Sequence, residues 1–166
     1  MNDNTTIENK ELSWKDGMVH LILSHSYVIF LMAVIFGAIF HNLFNFNIFS
    51  GYIYNYIGFF MIIGGSLLIY WAQSTSGCVQ KEKGNERTEK DFERGPYKYS
   101  RNPTHIGLTV MTLGLALILN SFFTIVFLVI ASFITKLIFV KKEEKLLERK
   151  YGQVYCDYKK KVSTWI

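Results

Sequence analysis

Long apolar stretches without formal charge alternate with short polar segments along this chain. Residues 17–80 contain no Asp, Glu, Lys or Arg, and the same is true of residues 102–135. A helix needs about 20 predominantly apolar residues to cross the hydrocarbon core of a membrane. The first stretch is therefore long enough for two membrane-spanning helices, which we predict at residues 18–40 and 52–71.

The second apolar stretch, extended to residue 140, predicts two shorter spans. They are expected at residues 103–119 and 122–140, because Asn120 and Ser121 interrupt the apolar run. Asn and Ser favour turns and helix starts over helix interiors. The pattern thus predicts an all-α polytopic membrane protein with about four transmembrane helices.

The polar segments divide the predicted molecule, which we interpret as one integral-membrane domain over residues 1–166. Apolar and aromatic side chains recur in the C-terminal segment at spacings of one, three and four, which predicts an interfacial amphipathic helix. The expected parts are a polar arm (1–17), spans one and two (18–72), a cytoplasmic loop (74–101), a helical hairpin of spans three and four (103–140) and a cytoplasmic tail (141–166).

The basic residues predict the orientation in the membrane. The chain carries 18 Lys and Arg against 13 Asp and Glu, a formal net charge of +5. The basic residues lie in the arm, the loop and the tail, apart from Lys136 in the last turn of span four. Four crossings place all these segments on one side, and short Lys- and Arg-rich segments stay cytoplasmic. We therefore expect both termini to be cytoplasmic in the cytoplasmic membrane, and anionic lipid rather than nucleic acid to be the partner of the positive charge.

Charged side chains gather at the cytoplasmic end of the predicted hairpin. Arg101 and His105 flank the start of span three, and Glu143 and Glu144 follow the end of span four. In isolation, Asn102 and the proline after it would simply begin a helix, and the acids would be a solvated helix end. A tight turn at the other end of the hairpin would, however, bring all four charged residues to one depth.

The sequences "GPYKYSRNPTHIG" (95–107) and "EEKLLERKYGQVYCDYKKKV" (143–162) resemble one family in their residues and spacing. They are similar to the integral-membrane methyltransferases of the isoprenylcysteine carboxyl methyltransferase and phospholipid methyltransferase type, over about residues 92–162. In this chain Asn102 stands where the family usually has His, and His105 stands where it usually has Tyr.

The resemblance implies S-adenosylmethionine as the cofactor and a pocket at the cytoplasmic ends of spans three and four. No metal is expected, because neither Cys78 nor Cys156 has a His or Cys neighbour at metal-ligand spacing. Arg101 and His105 are the expected catalytic residues. The expected cofactor-binding residues are Phe92, Tyr97, Asn102, Pro103, Thr104, His105, Glu143 and Glu144.

The methyl acceptor is expected to be lipidic or to enter through the membrane, because the spans are rich in Phe and Tyr. Its nucleophile stays open at this point. An isoprenylcysteine-like carboxylate needs no base, whereas a phospholipid amine must first lose a proton, and His105 has a side chain suited to accept it. The sequence also leaves the oligomeric state open.

Three other classes of protein fit parts of the pattern. A membrane sterol-reductase-like enzyme using a nicotinamide cofactor shares the helical core, although the short chain and the "EEKLLERKYG" tail favour the transferase. A small exporter would be expected to carry an acidic residue inside a span, and neither uncharged stretch has one. A purely structural membrane protein would leave both motifs unexplained.

Overall fold

The computed structural model describes residues 3–49, 51–84 and 86–164, with side chains from residue 24 onward. The described chain is helical, so the predicted all-α class is confirmed. The side chains of the predicted polar arm, residues 1–17, lie outside this description. The elements are α1 (Asp3–Phe44), α2 (Ile53–Lys83), α3 (Glu89–Phe92), a 3₁₀ helix (Gly95–Lys98), α4 (Pro103–Ile118), α5 (Phe122–Ile134), a π-helical segment (Thr135–Val140), α6 (Lys141–Tyr151) and α7 (Gln153–Lys161).

Three helical stretches are long and apolar enough to cross a membrane: Ser24–Phe44, Ile53–Lys83 and Phe122–Tyr151. The fourth apolar helix, α4, has 16 residues. At about 1.5 Å per residue it is roughly 24 Å long, less than the hydrocarbon core of about 30 Å. The chain is thus a polytopic membrane protein with three to four spanning helices. Large apolar side chains exposed on α1 and α2, such as Leu31 and Phe60, give these helices the surface that lipid requires.

The second helix is longer than the predicted span. It continues from Ile53 to Lys83, past the predicted end at residue 71, so the first part of the predicted loop is helical. The segment after Trp71 contains Gln, Lys and Glu, which form helices well, and lacks proline. Loss of apolar character therefore marks where the helix leaves lipid, while Gly84, with a φ of 54°, marks where it ends.

Glycines allow α2 and α4 to pack closely. A Cβ atom on Gly65 would lie 2.6 Å from the carbonyl oxygen of Gly107, and one on Gly58 would lie 2.5 Å from that of Gly114. Atoms cannot approach so closely without moving the backbone, so only glycine fits at these crossings. The same close approach holds the start of α4 against α2.

The turn between α4 and α5 is fixed to the connection between α1 and α2. Asn120 takes a left-handed conformation with a φ of 47°. Its side-chain oxygen accepts hydrogen bonds from the N–H groups of Ile48 and Phe49, at 3.2 and 3.0 Å. Ser121 then caps α5 by accepting the N–H of Thr124 at 3.2 Å. The predicted break at Asn120 and Ser121 is confirmed, and α5 returns antiparallel to α4 and packs against α1.

The C-terminal segment is amphipathic, as predicted, and its apolar face packs on α3. Phe92 of α3 forms a buried cluster with Tyr155, Tyr158 and Val162. Gly152, with a φ of 58°, separates α6 from α7, which allows both helices to contribute to this cluster. The tail and the segment before α4 thereby form one small core beside the membrane-spanning helices.

Candidate functional site at the junction of α4 and α6

The site begins at the first turn of α4. Asn102 is the N-cap residue and Pro103 the first helical residue, as the sequence predicted, and both are buried. The side chain of Asn102 makes no capping hydrogen bond. Its backbone N–H donates instead to the hydroxyl of Ser100 at 3.2 Å. The side-chain Nδ2 of Asn102 is buried and has no hydrogen-bond partner in the described part of the chain.

The returning arm of the hairpin brings two glutamates to this turn. The backbone stays helical from Phe122 to Tyr151, including the π-helical segment Thr135–Val140. Such segments are uncommon and occur frequently at functional sites, because the wider turn changes which side chains face a neighbouring helix. Here the segment directly precedes the helix α6, whose first turn carries Glu143 and Glu144.

Arg101 and Glu144 form a buried ion pair. The Arg101 Nη1 lies 3.0 Å from the Glu144 Oε1, and the two side chains are only 8% and 11% exposed. The hydroxyl of Thr164 accepts a hydrogen bond from Arg101 Nη2 and donates one to Glu144 Oε1. Lys159 contacts the other carboxylate oxygen of Glu144 at 3.1 Å. Removing one partner of such a buried pair leaves an uncompensated charge, so this contact fixes α6 against the start of α4.

His105 and Glu143 face each other without a hydrogen bond. The Nε2 of His105 lies 3.5 Å from the Oε2 of Glu143, beyond the usual hydrogen-bond length, and the imidazole is 2% exposed. Among the described residues, the Nδ1 and Nε2 of His105, the Oε2 of Glu143 and the Nδ2 of Asn102 are all buried without a hydrogen-bond partner. Each such atom costs roughly 1–3 kcal/mol. A polar ligand that satisfied these atoms would remove that cost.

Tyr97 lies beside this pair. Burial raises the pKa of the Tyr97 phenol to about 12, and the negative charge of Glu143 adds to the effect. Its hydroxyl forms hydrogen bonds with Thr104 and Ser76, and its carbonyl accepts the hydroxyl of Tyr158 at 2.7 Å. Tyr97 is therefore a neutral phenol at physiological pH, held between α2, α4 and α7.

Phe92 lies in the tail core. It stacks on Tyr158, with 5.5 Å between the ring centroids, and thus connects to the other candidate residues through the bond between Tyr158 and Tyr97. Burial raises the pKa of both Tyr155 and Tyr158. The structure therefore gathers Tyr97, Asn102, Thr104, His105 and Glu143 in one place and puts Phe92 behind them.

Two polar residues near the site were not singled out from the sequence. Gln73 of α2 donates a hydrogen bond to the hydroxyl of Tyr27 of α1 at 3.1 Å. The carboxylate of Glu143 interacts electrostatically with that hydroxyl. The sequence gives only a weak indication that Gln73 belongs near the site: it is an amide close to the end of an apolar stretch. For Tyr27, one of ten tyrosines, the sequence offers none.

A groove lies one turn along α4 from His105. The hydroxyl of Thr109 donates to the carbonyl of His105 at 2.9 Å and lines this groove, which has a volume of about 360 Å³. Its walls come from α4, α5 and the π-helical segment. The lining residues are Thr109, Leu113, Ile125, Leu128, Val129, Ser132, Phe133 and Lys136.

A comparison with known families decides the identity of this arrangement. The family model for phospholipid methyltransferase matches residues 53–154, more than half of the chain. The chain belongs to the phospholipid methyltransferase family. No curated protein and no solved structure matches it. The resemblance inferred from the two sequence motifs is thereby confirmed.

Membership of the phospholipid methyltransferase family makes the chain a membrane methyltransferase with a lipid-related acceptor, and it implies a methyl donor. The matched region includes Arg101, His105, Glu143 and Glu144, whereas Tyr27 lies before it. The two buried pairs that join α4 to α6 thus lie within the part of the chain that the family shares.

Proposed function

We propose that the chain transfers the methyl group of S-adenosylmethionine to the amine of a membrane phospholipid, at the junction of α4 and α6. The observation that carries this proposal concerns the Nε2 of His105 and the Oε2 of Glu143: these two buried atoms lie 3.5 Å apart, and neither has a hydrogen-bond partner among the described residues. A methyl transfer needs a positioned donor, a nucleophile with an available electron pair and a site that excludes water.

The unpartnered polar atoms fit the methyl donor. S-adenosylmethionine supplies a methyl group on a sulfonium, which is already a good electrophile. The Glu143 carboxylate can accept hydrogen bonds from ribose hydroxyls or from the methionyl ammonium, and the Asn102 amide can donate one. The surrounding wall would be formed by Pro103 and Thr104, which belong to the first turn of α4, and by Tyr97, which lies against that turn.

The imidazole favours an amine as the acceptor. An amine that is protonated in water must lose a proton before it can attack, whereas a carboxylate needs no base. His105 is buried with both ring nitrogens unpartnered among the described residues, and a neutral imidazole can accept a proton. We therefore assign to His105 the removal of a proton from the acceptor nitrogen. A carboxylate acceptor would leave this pair without a chemical task.

Arg101 is proposed to position rather than to bind the acceptor. Its guanidinium already contacts Glu144 and Thr164. It therefore holds the first turn of α6, and with it Glu143, at the correct distance from His105. Glu144 takes part in the same role, as the buried partner of the ion pair.

The groove between α4 and α5 is proposed to hold an acyl chain of the acceptor. Its lining is mainly apolar, and it begins at Thr109, one helical turn from His105. A lipid seated there would present its headgroup towards the imidazole while its chains stayed in the membrane.

We also propose that both termini and the segment before α4 face the cytoplasm, because the basic residues gather there. Cysteine labelling tests this orientation. An Asn4→Cys variant in intact cells should resist an impermeant thiol reagent, and labelling from outside would overturn the assignment.

Methylation of defined vesicles tests the function. Purified protein in phosphatidylethanolamine vesicles with radiolabelled S-adenosylmethionine should transfer label to the lipid amine. The matched reaction uses phosphatidylcholine vesicles containing a prenylated cysteine with a free carboxylate. Label in the prenylated cysteine alone would contradict the amine assignment, and the absence of label from both acceptors would contradict the proposed reaction.

A further inference from the structure

The charged side chains of α6 are divided between two faces of the helix. The acidic residues point inward: Glu144 contacts Arg101, and Glu148 contacts Lys159 at 2.7 Å. Four cations are exposed on the outer face, and they form no ion pair with the described residues. At about 100° per residue they share an arc of roughly 100°. These residues, here called the cationic face, are Lys141, Lys142, Lys145 and Arg149.

The position of the cationic face along the helix is set by the preceding span. The apolar run ends at Val140, which is 2% exposed, and α6 follows without a break in the helix. At 1.5 Å per residue, Lys141, Lys142 and Lys145 lie within about 8 Å of Val140. The polar headgroup region on each side of a bilayer is about 5–8 Å thick. These three ammonium groups therefore lie at the depth of the phospholipid headgroups.

We infer that the cationic face is a binding site for anionic phospholipid headgroups, distinct from the proposed methyl-transfer site at the junction of α4 and α6. The argument rests on charge complementarity at a defined depth. Three neighbouring cations that form no ion pair with the described residues attract anionic lipid by roughly 1 kcal/mol each, which is about fivefold per residue. Arg149, one turn further out, extends the face towards water.

Binding at this face acts on the helix that carries Glu143 and Glu144. Anionic headgroups on the outer face hold α6 at the membrane surface, while the ion pair with Arg101 holds its inner face. The lipid composition would therefore influence how firmly Glu143 stays at His105. This effect on turnover rests on the proposed function, whereas the binding of anionic lipid does not.

Association of spin-labelled lipids with the reconstituted protein tests the inference. The probe is spin-labelled phosphatidylglycerol, compared with spin-labelled phosphatidylcholine in phosphatidylcholine bilayers. The test variant carries Lys141→Gln, Lys142→Gln and Lys145→Gln. The control variant carries Lys81→Gln, Lys83→Gln and Lys90→Gln, which removes the same charge from exposed positions away from the cationic face.

The wild type should associate more strongly with the anionic probe than with the phosphatidylcholine probe. This preference should be at least about tenfold smaller in the test variant. The control variant should keep it, and salt should weaken it in the wild type. Absence of any preference in the wild type, or equal losses in both variants, would overturn the inference. If the triple variant does not fold, the three single variants give the same comparison, each with an expected loss of about fivefold.

A second readout separates this inference from the proposed function. Adding phosphatidylglycerol to phosphatidylethanolamine vesicles should raise methyl transfer by the wild type and the control variant, but not by the test variant. A wild type that prefers the anionic probe but methylates no lipid would leave the lipid site standing and remove the proposed reaction.

Discussion

The Nε2 of His105 and the Oε2 of Glu143 lie 3.5 Å apart, on helices that meet only because the α4–α5 hairpin folds back on itself. Both atoms are buried, and neither has a hydrogen-bond partner among the described residues. Leaving these atoms without hydrogen bonds costs free energy when the site is empty, and a ligand that forms hydrogen bonds with them would remove that cost.

His105 should affect turnover far more than donor binding. Replacing it with Phe removes the proton acceptor, so the rate of amine methylation should fall by about 10²- to 10⁴-fold. His105→Tyr introduces the residue that the family usually has there and should keep the affinity for S-adenosylmethionine. Single-turnover rates and calorimetry measure the two quantities separately. Parental rates in both variants would reduce His105 to a packing residue.

Arg101 should tolerate substitution poorly even when its charge is kept. Arg101→Lys retains a cation but loses the planar group that contacts both Glu144 and Thr164. We expect the methylation rate to fall by about tenfold or more, with the protein still folded, because Glu143 would be held less firmly. Arg149→Lys, on the exposed face of α6, is the matched control. Equal rates for the two variants would show that the buried ion pair does not position the site.

The close crossing of α2 and α4 should be sensitive to a single methyl group. Gly65→Ala would place its Cβ 2.6 Å from the carbonyl oxygen of Gly107, whereas Gly64→Ala meets no atom within 4 Å. Overpacking of this kind typically costs about 1–3 kcal/mol. Thermal unfolding in detergent should show a lower midpoint for Gly65→Ala and an unchanged one for Gly64→Ala. Matching midpoints for the two variants would mean that the helices can separate without cost.

These contacts show what the sequence could and could not provide. The uncharged stretches predicted the helices, because apolar length is the main requirement for a span. The breaks at Asn120 and Gly152 follow from residues that adopt a positive φ. The extension of α2 to Lys83 was missed, because polarity indicates where lipid ends and not where a helix ends.

The proximity of the candidate residues was predictable from the sequence, whereas their pairing was not. The two motifs and the hairpin placed Arg101, His105, Glu143 and Glu144 together, and the distances confirm that proximity. The rotation of α6 after the π-helical segment decides whether Glu143 or Glu144 faces His105. The sequence carries no periodic signal for that segment. The contact of Thr164 with Arg101 and Glu144 also depends on tertiary packing, for which the sequence carries no signal.

The start of α3 should make stability depend on acid pH. The hydroxyl and the N–H of Thr88 both donate to Asp91, at 2.7 and 2.9 Å, and these bonds lower the pKa of the Asp91 carboxyl. A carboxyl whose pKa is lower in the folded state stabilises the fold above its unfolded pKa, and that contribution disappears as the pH falls through the folded pKa.

We expect Asp91→Ala to lower the free energy of unfolding at pH 7 by about 0.5–2 kcal/mol, the usual effect of losing a helix cap. The difference from the wild type should shrink as the pH falls below about 4. Denaturant titrations in detergent at pH 7 and at low pH measure it, with Glu86→Ala as the exposed control. A difference that does not vary with pH would show that the Asp91 charge is not responsible.

The central claim is that the unpartnered atoms around His105 and Glu143 bind the methyl donor. Calorimetric titration of the purified protein with S-adenosylmethionine tests this most directly, with Glu143→Gln as the test variant. Glu148→Gln, which alters the contact with Lys159 instead, is the control. We predict binding by the wild type, affinity about 10- to 100-fold weaker for Glu143→Gln, and little change for Glu148→Gln. A wild type that does not bind the donor, or a Glu143→Gln variant that binds it with unchanged affinity, would contradict the account.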